Sequence, residues 1–124
     1  MVVDDNDEVA GCIAIMLQSL GHQAHACCSG GDCLESLTEF RPDLILLDLS
    51  MPVQDGFETC RQIRQTNGFE VVPVIVCSAL DPYLVQDRAQ GCHFSHHLVK
   101  PVSVRQLQAA IEEVLGDSTV ARNR

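Results

Sequence analysis

No apolar run in this chain approaches the length of a membrane span. The opening Met1-Val2-Val3-Asp4-Asp5 has neither the basic start nor the long apolar segment of a signal peptide. Basic residues are scarce: 8 Lys and Arg against 17 Asp and Glu give a formal net charge of −9. A phosphate backbone would be repelled by that balance, which argues against a nucleic-acid-binding surface. Cysteine pairs at metal or redox spacing are missing too. The seven cysteines, at 12, 27, 28, 33, 60, 77 and 92, contain no C-x-x-C, and their odd number disfavours a complete disulfide framework. Several sit among apolar residues, as in Val76-Cys77 and Gly91-Cys92, where a free thiol behaves as a small hydrophobe. The expectation is reduced, mostly buried thiols in a cytoplasmic protein. Internal repeats, linkers and low-complexity segments are absent, so the 124 residues form one domain, with 46% hydrophobic content.

What is present is organised around Leu44-Ile45-Leu46-Leu47. Four consecutive aliphatic residues, bounded by Pro42 and Pro52, predict a short strand buried on both faces. Asp48 falls where that run stops, at the carboxyl end of a central strand, the edge at which open α/β sheets bind ligands. A carboxylate there is costly to desolvate unless something cationic meets it.

In chain order, Met1-Val2-Val3 is the tail of a first strand. Asp4-Asp5-Asn6-Asp7-Glu8 supplies helix caps and an acidic first turn, and Val9, Ile13, Met16, Leu17 and Leu20 recur at helical spacing up to Gly21. Gln23 to Cys27 is a weak second strand, and Ser29-Gly30-Gly31-Asp32 caps a helix carrying Cys33, Leu34, Leu37 and Phe40. After the Leu44–Leu47 strand, Val53-Gln54-Asp55-Gly56 is turn chemistry. Phe57, Cys60, Ile63 and the stem of Arg64 then mark a third helix, ending near Asn67-Gly68. Val71 to Cys77 is a second buried strand, followed by Ser78-Ala79. A poorly apolar fourth helix covers about 82–90, and Phe94 to Val99 is the last strand, closed by Lys100-Pro101. Val104, Leu107, Ile111, Val114 and Leu115 form a final helix. The domain is expected over 1–116, with a polar, frayed tail over 117–124. That tail and the blunt first strand are what the boundary of a domain within a longer chain would show.

Strand and helix alternate five times with short connections, which implies a parallel sheet with helices on both faces. Such a sheet gathers Asp4-Asp5, Asp48, Ser78 and Lys100 on one rim. Two carboxylates in contact repel by about 1–4 kcal/mol, depending on the dielectric, and one lysine does not neutralise three of them. A hard divalent cation with oxygen ligands does; Mg²⁺, or Mn²⁺ in its place, suits an open site.

With these residues in order, the chain resembles the receiver domains of two-component response regulators. The resemblance runs from Val2 to about Leu115. It rests on Asp4-Asp5, on Asp48 within Leu-Ile-Leu-Leu-Asp-Leu-Ser-Met-Pro, and on Asp55-Gly56, Ser78-Ala79 and Lys100-Pro101. It implies a flavodoxin-like, doubly wound α/β fold: five parallel strands in the order 2-1-3-4-5, flanked by five helices. It also implies that Asp48 takes a phosphoryl group from the phosphohistidine of a sensor histidine kinase or histidine phosphotransfer domain. Asp5, Asp48 and the backbone carbonyl of Ser50 would ligate Mg²⁺, with Asp4 helping through water. Lys100 and Ser78 would contact the phosphoryl oxygens. Gly56 and Pro101 are implied as structural, the latter through a cis Lys100-Pro101 bond. Output would pass to a downstream effector through the fourth helix, last strand and last helix. Enzymatic activity would be at most self-catalysed phosphotransfer and dephosphorylation.

One departure concerns the output half. The family often has Tyr or Phe three residues before the lysine, where this chain has His97. Ser78 and His97 are therefore the candidate switch pair, and charge on His97 would make it pH-sensitive. Ser50 and Leu80 occupy positions that tune the lifetime of the phosphate in the family. Bland readings stand beside these: Asp4-Asp5 as helix caps, Ser78 as a strand-end hydroxyl, Lys100 as a solvated lysine. A metal site built from His93, His96 and His97 is disfavoured because neighbouring strand residues point to opposite faces. The alternative function is a degenerate receiver acting as a phosphorylation-independent binding module. A flavodoxin-like nucleotide binder lacks the glycine-rich phosphate loop after the first strand. A two-aspartate phosphohydrolase would want a second acid two residues beyond Asp48, where Ser50 stands.

Overall fold

A computed structural model of the protein describes residues 1–49, 56–79, 85 and 92–122, with side chains to residue 115. The strands are β1 (Val2–Val3), β2 (Ala26–Cys27), β3 (Ile45–Asp48), β4 (Val74–Ser78) and β5 (His96–Val99). All neighbours pair in parallel, in the order β2-β1-β3-β4-β5. The described helices are α1 (Asp7–Ser19), α2 (Gly30–Phe40), α3 (Gly56–Arg64) and α4 (Val104–Arg122). Of the expected helix over 82–90 only Val85 is described; it is helical and fully buried.

Strand alternation splits the core into two layers. Val3, Ile45, Leu47, Val74 and Val76 face α2 and α3, where Leu37, Phe57, Cys60 and Ile63 meet them. Val2, Leu46, Ile75, Cys77 and Leu98 face α1 and α4, against Ala10, Leu17, Leu107 and Ile111. β3 and β4 are buried along their whole length, as strands with helices on both faces must be. Each fully buried aliphatic side chain in them contributes about 1.5–3 kcal/mol.

Caps set the helix starts. The Asn6 side chain accepts from the amides of Glu8 at 3.0 Å and Val9 at 3.2 Å, and the Ser29 hydroxyl accepts from Asp32 N at 3.0 Å. Gly21, at φ +93°, turns the chain after α1.

Four expectations are corrected. β4 begins at Val74 rather than Val71, whose side chain is 90% exposed; Pro73 has no amide for a central ladder, and the strand starts after it. The third helix ends at Arg64, short of Asn67-Gly68. The final helix does not stop at Gly116 but continues to Arg122, since one glycine costs only about 1 kcal/mol and no proline follows it. Cys60 and Cys92, expected as free thiols, form a disulfide with Cα atoms 5.5 Å apart. They are 32 residues apart in sequence, and α3 and the approach to β5 bring them together. Cys27, Cys33 and Cys77 are free and buried, while Cys12 and Cys28 are free and exposed. Burial pushes the Cys33 and Cys77 thiols up to about 12, so both stay protonated and inert.

The same corner is held by Arg64. Its guanidinium donates to the carbonyls of Val72 at 2.6 Å, Phe69 at 3.3 Å and His93 at 3.0 Å. Arg64 thus ties the end of α3 to the chain entering β4 and to the chain entering β5.

Candidate phosphoryl and metal site

The parallel register brings the carboxyl ends of β1, β3, β4 and β5 to one edge. Asp48 ends β3 and is 4% exposed; Asp4 follows β1 and is also 4% exposed; Asp5 beside it is exposed. A backbone bond from Asp4 N to Cys27 O, 3.1 Å, anchors the start of this acidic turn. Asp4 Oδ1 accepts from Asn6 N at 3.0 Å, so the acidic pair and the cap of α1 form one local unit.

Lys100, just past β5, places Nζ 3.3 Å from Asp48 Oδ1 and 3.5 Å from Asp4 Oδ2. Its backbone amide donates to Ser78 O at 2.9 Å, and the Lys100-Pro101 peptide bond is cis. Burial works to lower the Lys100 pKa, but the charges and hydrogen bonds of Asp48 and Asp4 outweigh it, and the pKa is raised.

Oxygens of Asp4, Asp5 and Asp48 lie within 4.8 Å of one another. One half-buried ammonium faces three carboxylates, two of them withdrawn from water. This all-oxygen donor set fits a hard divalent cation and does not suit a soft one.

Gly56 opens α3 directly against β3. A Cβ there would collide with the Asp48 carbonyl oxygen and stand 2.5 Å from Leu49 Cα. No residue with a side chain fits without moving the strand end that carries Asp48.

On the α2–α3 face of the sheet, Ser78 is fully buried and its hydroxyl lies 3.0 Å from His97 Nε2. His97 pairs with Val76 across the β4–β5 ladder, and its ring reaches Ser78, two residues further along β4 on the same face. His96 points the opposite way, with Nε2 3.3 Å from Glu113 Oε2 on α4. His93 is exposed. The three histidines therefore do not converge. Ser50, Asp55 and Leu80 lie outside the described residues.

The family model for the response regulator receiver domain matches residues 1–112. The chain belongs to that family. The receiver is 38% identical over 117 residues to the transcriptional regulatory protein AfsQ1 of Streptomyces coelicolor, a match covering 93% of this chain and 50% of AfsQ1. The chain thus spans about half the length of that relative. A structure of the receiver domain of sensor histidine kinase PA1611 from Pseudomonas aeruginosa is 29% identical, with a TM-score of 0.83 over 93% of this chain and 94% of that one. That domain carries a magnesium ion coordinated in its active-site cleft. Chemotaxis protein CheY4 of Vibrio cholerae, 24% identical, shares the fold with a TM-score of 0.87, over 92% of this chain and 95% of that one. Among the described residues, no helix is long and apolar enough to cross a membrane.

Sequence reasoning placed Asp4, Asp5, Asp48, Ser78 and Lys100 on one edge, and the structure brings them there. It gave Asp4 a supporting part, whereas Asp4 is the more buried of the acidic pair and pairs with Lys100. It did not anticipate the direct bond between Ser78 and His97. The sequence carries only that Ser78 ends β4 and His97 lies two residues before the end of β5; the bond itself depends on how the ring leans.

Proposed function

We propose that this receiver takes a phosphoryl group on Asp48 from a phosphohistidine of a sensor kinase or histidine phosphotransfer domain. The observation that carries the reading is a buried strand-end carboxylate with an ammonium 3.3 Å away and two further carboxylates alongside it. One Asp48 carboxylate oxygen attacks phosphorus in line, the P–N bond breaks, and the imidazole leaves with the electron pair. The product is an aspartyl phosphate. Phosphoryl transfer of this kind needs positioning and charge neutralisation more than covalent assistance.

Each residue has a defined task in that reading. β3 and Gly56 hold Asp48 in place. Lys100 acts as a point charge toward a phosphoryl oxygen, having been kept beside Asp48 beforehand by ion pairing. Ser78 offers its hydroxyl to another oxygen. Asp5 and Asp48, with Asp4 beside them, would hold Mg²⁺, which when bound neutralises charge on the carboxylates and the incoming anion. Ser50 is proposed to complete the ligand set. Output would run through the last strand and α4, where Val99 is 46% and Val104 40% exposed. A cytoplasmic setting is proposed with this role; the Cys60–Cys92 bond would there meet reducing thiols.

The test is incubation with acetyl phosphate, with and without Mg²⁺, followed by intact mass. Wild type should gain one phosphate only with Mg²⁺, and Asp48→Asn should gain none. An adduct that persists in Asp48→Asn overturns the assignment.

A further inference from the structure

β5 is the last strand of the sheet and is laddered to β4 alone. It is 4 residues long, and Lys100 follows it directly. At its other end, the chain entering β5 is fastened to α3 twice. Cys92 is held by the disulfide to Cys60, and the His93 carbonyl by the Arg64 guanidinium at 3.0 Å. Only the first fastener answers to thiols. α3 itself begins at Gly56, seated against the Asp48 carbonyl. The disulfide therefore links the helix that rests on the end of β3 to the strand that delivers Lys100.

We propose that the Cys60–Cys92 bond is a reversible redox latch. Closed, it holds β5 and Lys100 to α3; opened by a small-molecule thiol, it leaves β5 to its single ladder and to Arg64, and phosphorylation of Asp48 slows. The effect on phosphorylation rests on the reading of Asp48 as phosphoacceptor, whereas the latch does not.

Opening takes two thiol–disulfide exchanges. A thiolate of the glutathione class attacks the Cys92 sulfur, because Cys92 is slightly exposed and Cys60 is fully buried. The S–S bond breaks, and its electron pair leaves on the Cys60 sulfur, which takes a proton from water. A second thiolate attacks the glutathione sulfur of the mixed disulfide and departs as the small-molecule disulfide. Cys92 is released and protonated in turn. Two small thiols are oxidised for the one protein bond reduced, and the small disulfide closes the latch by the reverse steps. The thiol freed at Cys60 has an acceptor beside it, since the His93 carbonyl oxygen is 3.9 Å from its sulfur. Arg64 keeps that same carbonyl in place. Opening therefore loosens the corner without unfolding the domain. A short edge strand has few bonds with which to open in stages, so what is loosened at Cys92 is felt at Lys100. The closed form holds the ammonium in position before the phosphoryl group arrives.

The test holds the native protein at set ratios of reduced to oxidised glutathione, then quenches, alkylates and maps the cysteines. A linked Cys60–Cys92 peptide should be found at oxidising ratios and two alkylated peptides at reducing ones, reversibly and with unchanged circular dichroism. The amides of β5 should exchange about tenfold faster in the open form, and those of α1 at the same rate in both. The initial rate of phosphate incorporation from acetyl phosphate and Mg²⁺ should fall about two- to tenfold on opening. Cys92→Ala should match the open form in both measurements and ignore the ratio. A pair that stays linked, or stays as thiols, at every ratio overturns the latch, and so does equal β5 exchange in the two forms. Faster β5 exchange with equal phosphate incorporation overturns the link to Lys100. No adduct in either form overturns the phosphoacceptor reading, while the cysteine map and β5 exchange still decide the latch.

Discussion

The Lys100 ammonium lies 3.3 Å from Asp48 Oδ1, and from the same place it reaches Asp4 at 3.5 Å. One lysine thus stands between two buried carboxylates that would otherwise face each other.

Removing that lysine should weaken the resting domain and strengthen its hold on metal. Lys100 is about one-third exposed, so solvent screens the pair and the loss should be only about 1 kcal/mol in metal-free buffer. With the competing cation gone, Lys100→Met should bind Mg²⁺ several-fold more tightly. Urea unfolding with EDTA, and then across an Mg²⁺ titration, measures both. Equal Mg²⁺ affinity in the two proteins would show that lysine and metal do not share the carboxylates.

The same pair gives a pH signature at the alkaline end. The Lys100 pKa is raised in the folded state, so its contribution is fully present below the unfolded lysine value, about 10.4, and is lost as pH rises through the folded value. Wild type should therefore lose more stability above about pH 10 than Lys100→Met does, and the two unfolding midpoints should converge. Parallel curves would mean that the lysine gains nothing from its neighbours.

Gly56→Ala should disturb Asp48 more than its single added methyl suggests. The methyl would press on the backbone of Asp48 and Leu49, not on a side chain able to swing away. A loss of about 1–3 kcal/mol is expected in thermal unfolding, together with weaker Mg²⁺ binding. A variant with unchanged melting and unchanged metal affinity would show that the strand end yields freely.

Two arginines on one helix should differ sharply. Arg64 donates to three backbone carbonyls, and Arg64→Leu leaves them without that partner, at a cost of about 2–3 kcal/mol. Arg61 forms an exposed pair with Glu58 at 3.2 Å, and Arg61→Leu should cost under about 0.5 kcal/mol. Chemical denaturation of the two variants side by side checks the contrast.

Much of this was visible in the residues themselves. The aliphatic run before Asp48 announces a strand with helices on both sides, because little else buries four such residues in a row. Asn6 and Ser29 mark the starts of α1 and α2, since each offers a short side-chain oxygen to free amides. What escaped notice depends on partners far along the chain. Val71 looks like a strand residue beside Val72, yet Pro73 delays the ladder and leaves it in water. Arg64 is charged and shows only its stem to a periodicity argument, while its head serves carbonyls up to 29 residues away. Cys60 and Cys92 show no paired spacing because the fold, not the sequence, sets them side by side. The sheet edge was legible because chain order alone dictates it; the Ser78–His97 bond was not, because it depends on how far one ring leans along its strand.

The acidic turn and the lysine that answers it are 96 residues apart, and the run of strands β1-β3-β4-β5 joins them. No fragment holding one end of the chain contains this constellation, and no local refolding can rebuild it. An ion bound there would act as a clasp on the whole domain, so its binding energy should appear in global unfolding and in the slowest-exchanging amides of β3 and β4, rather than in the nearby turns alone.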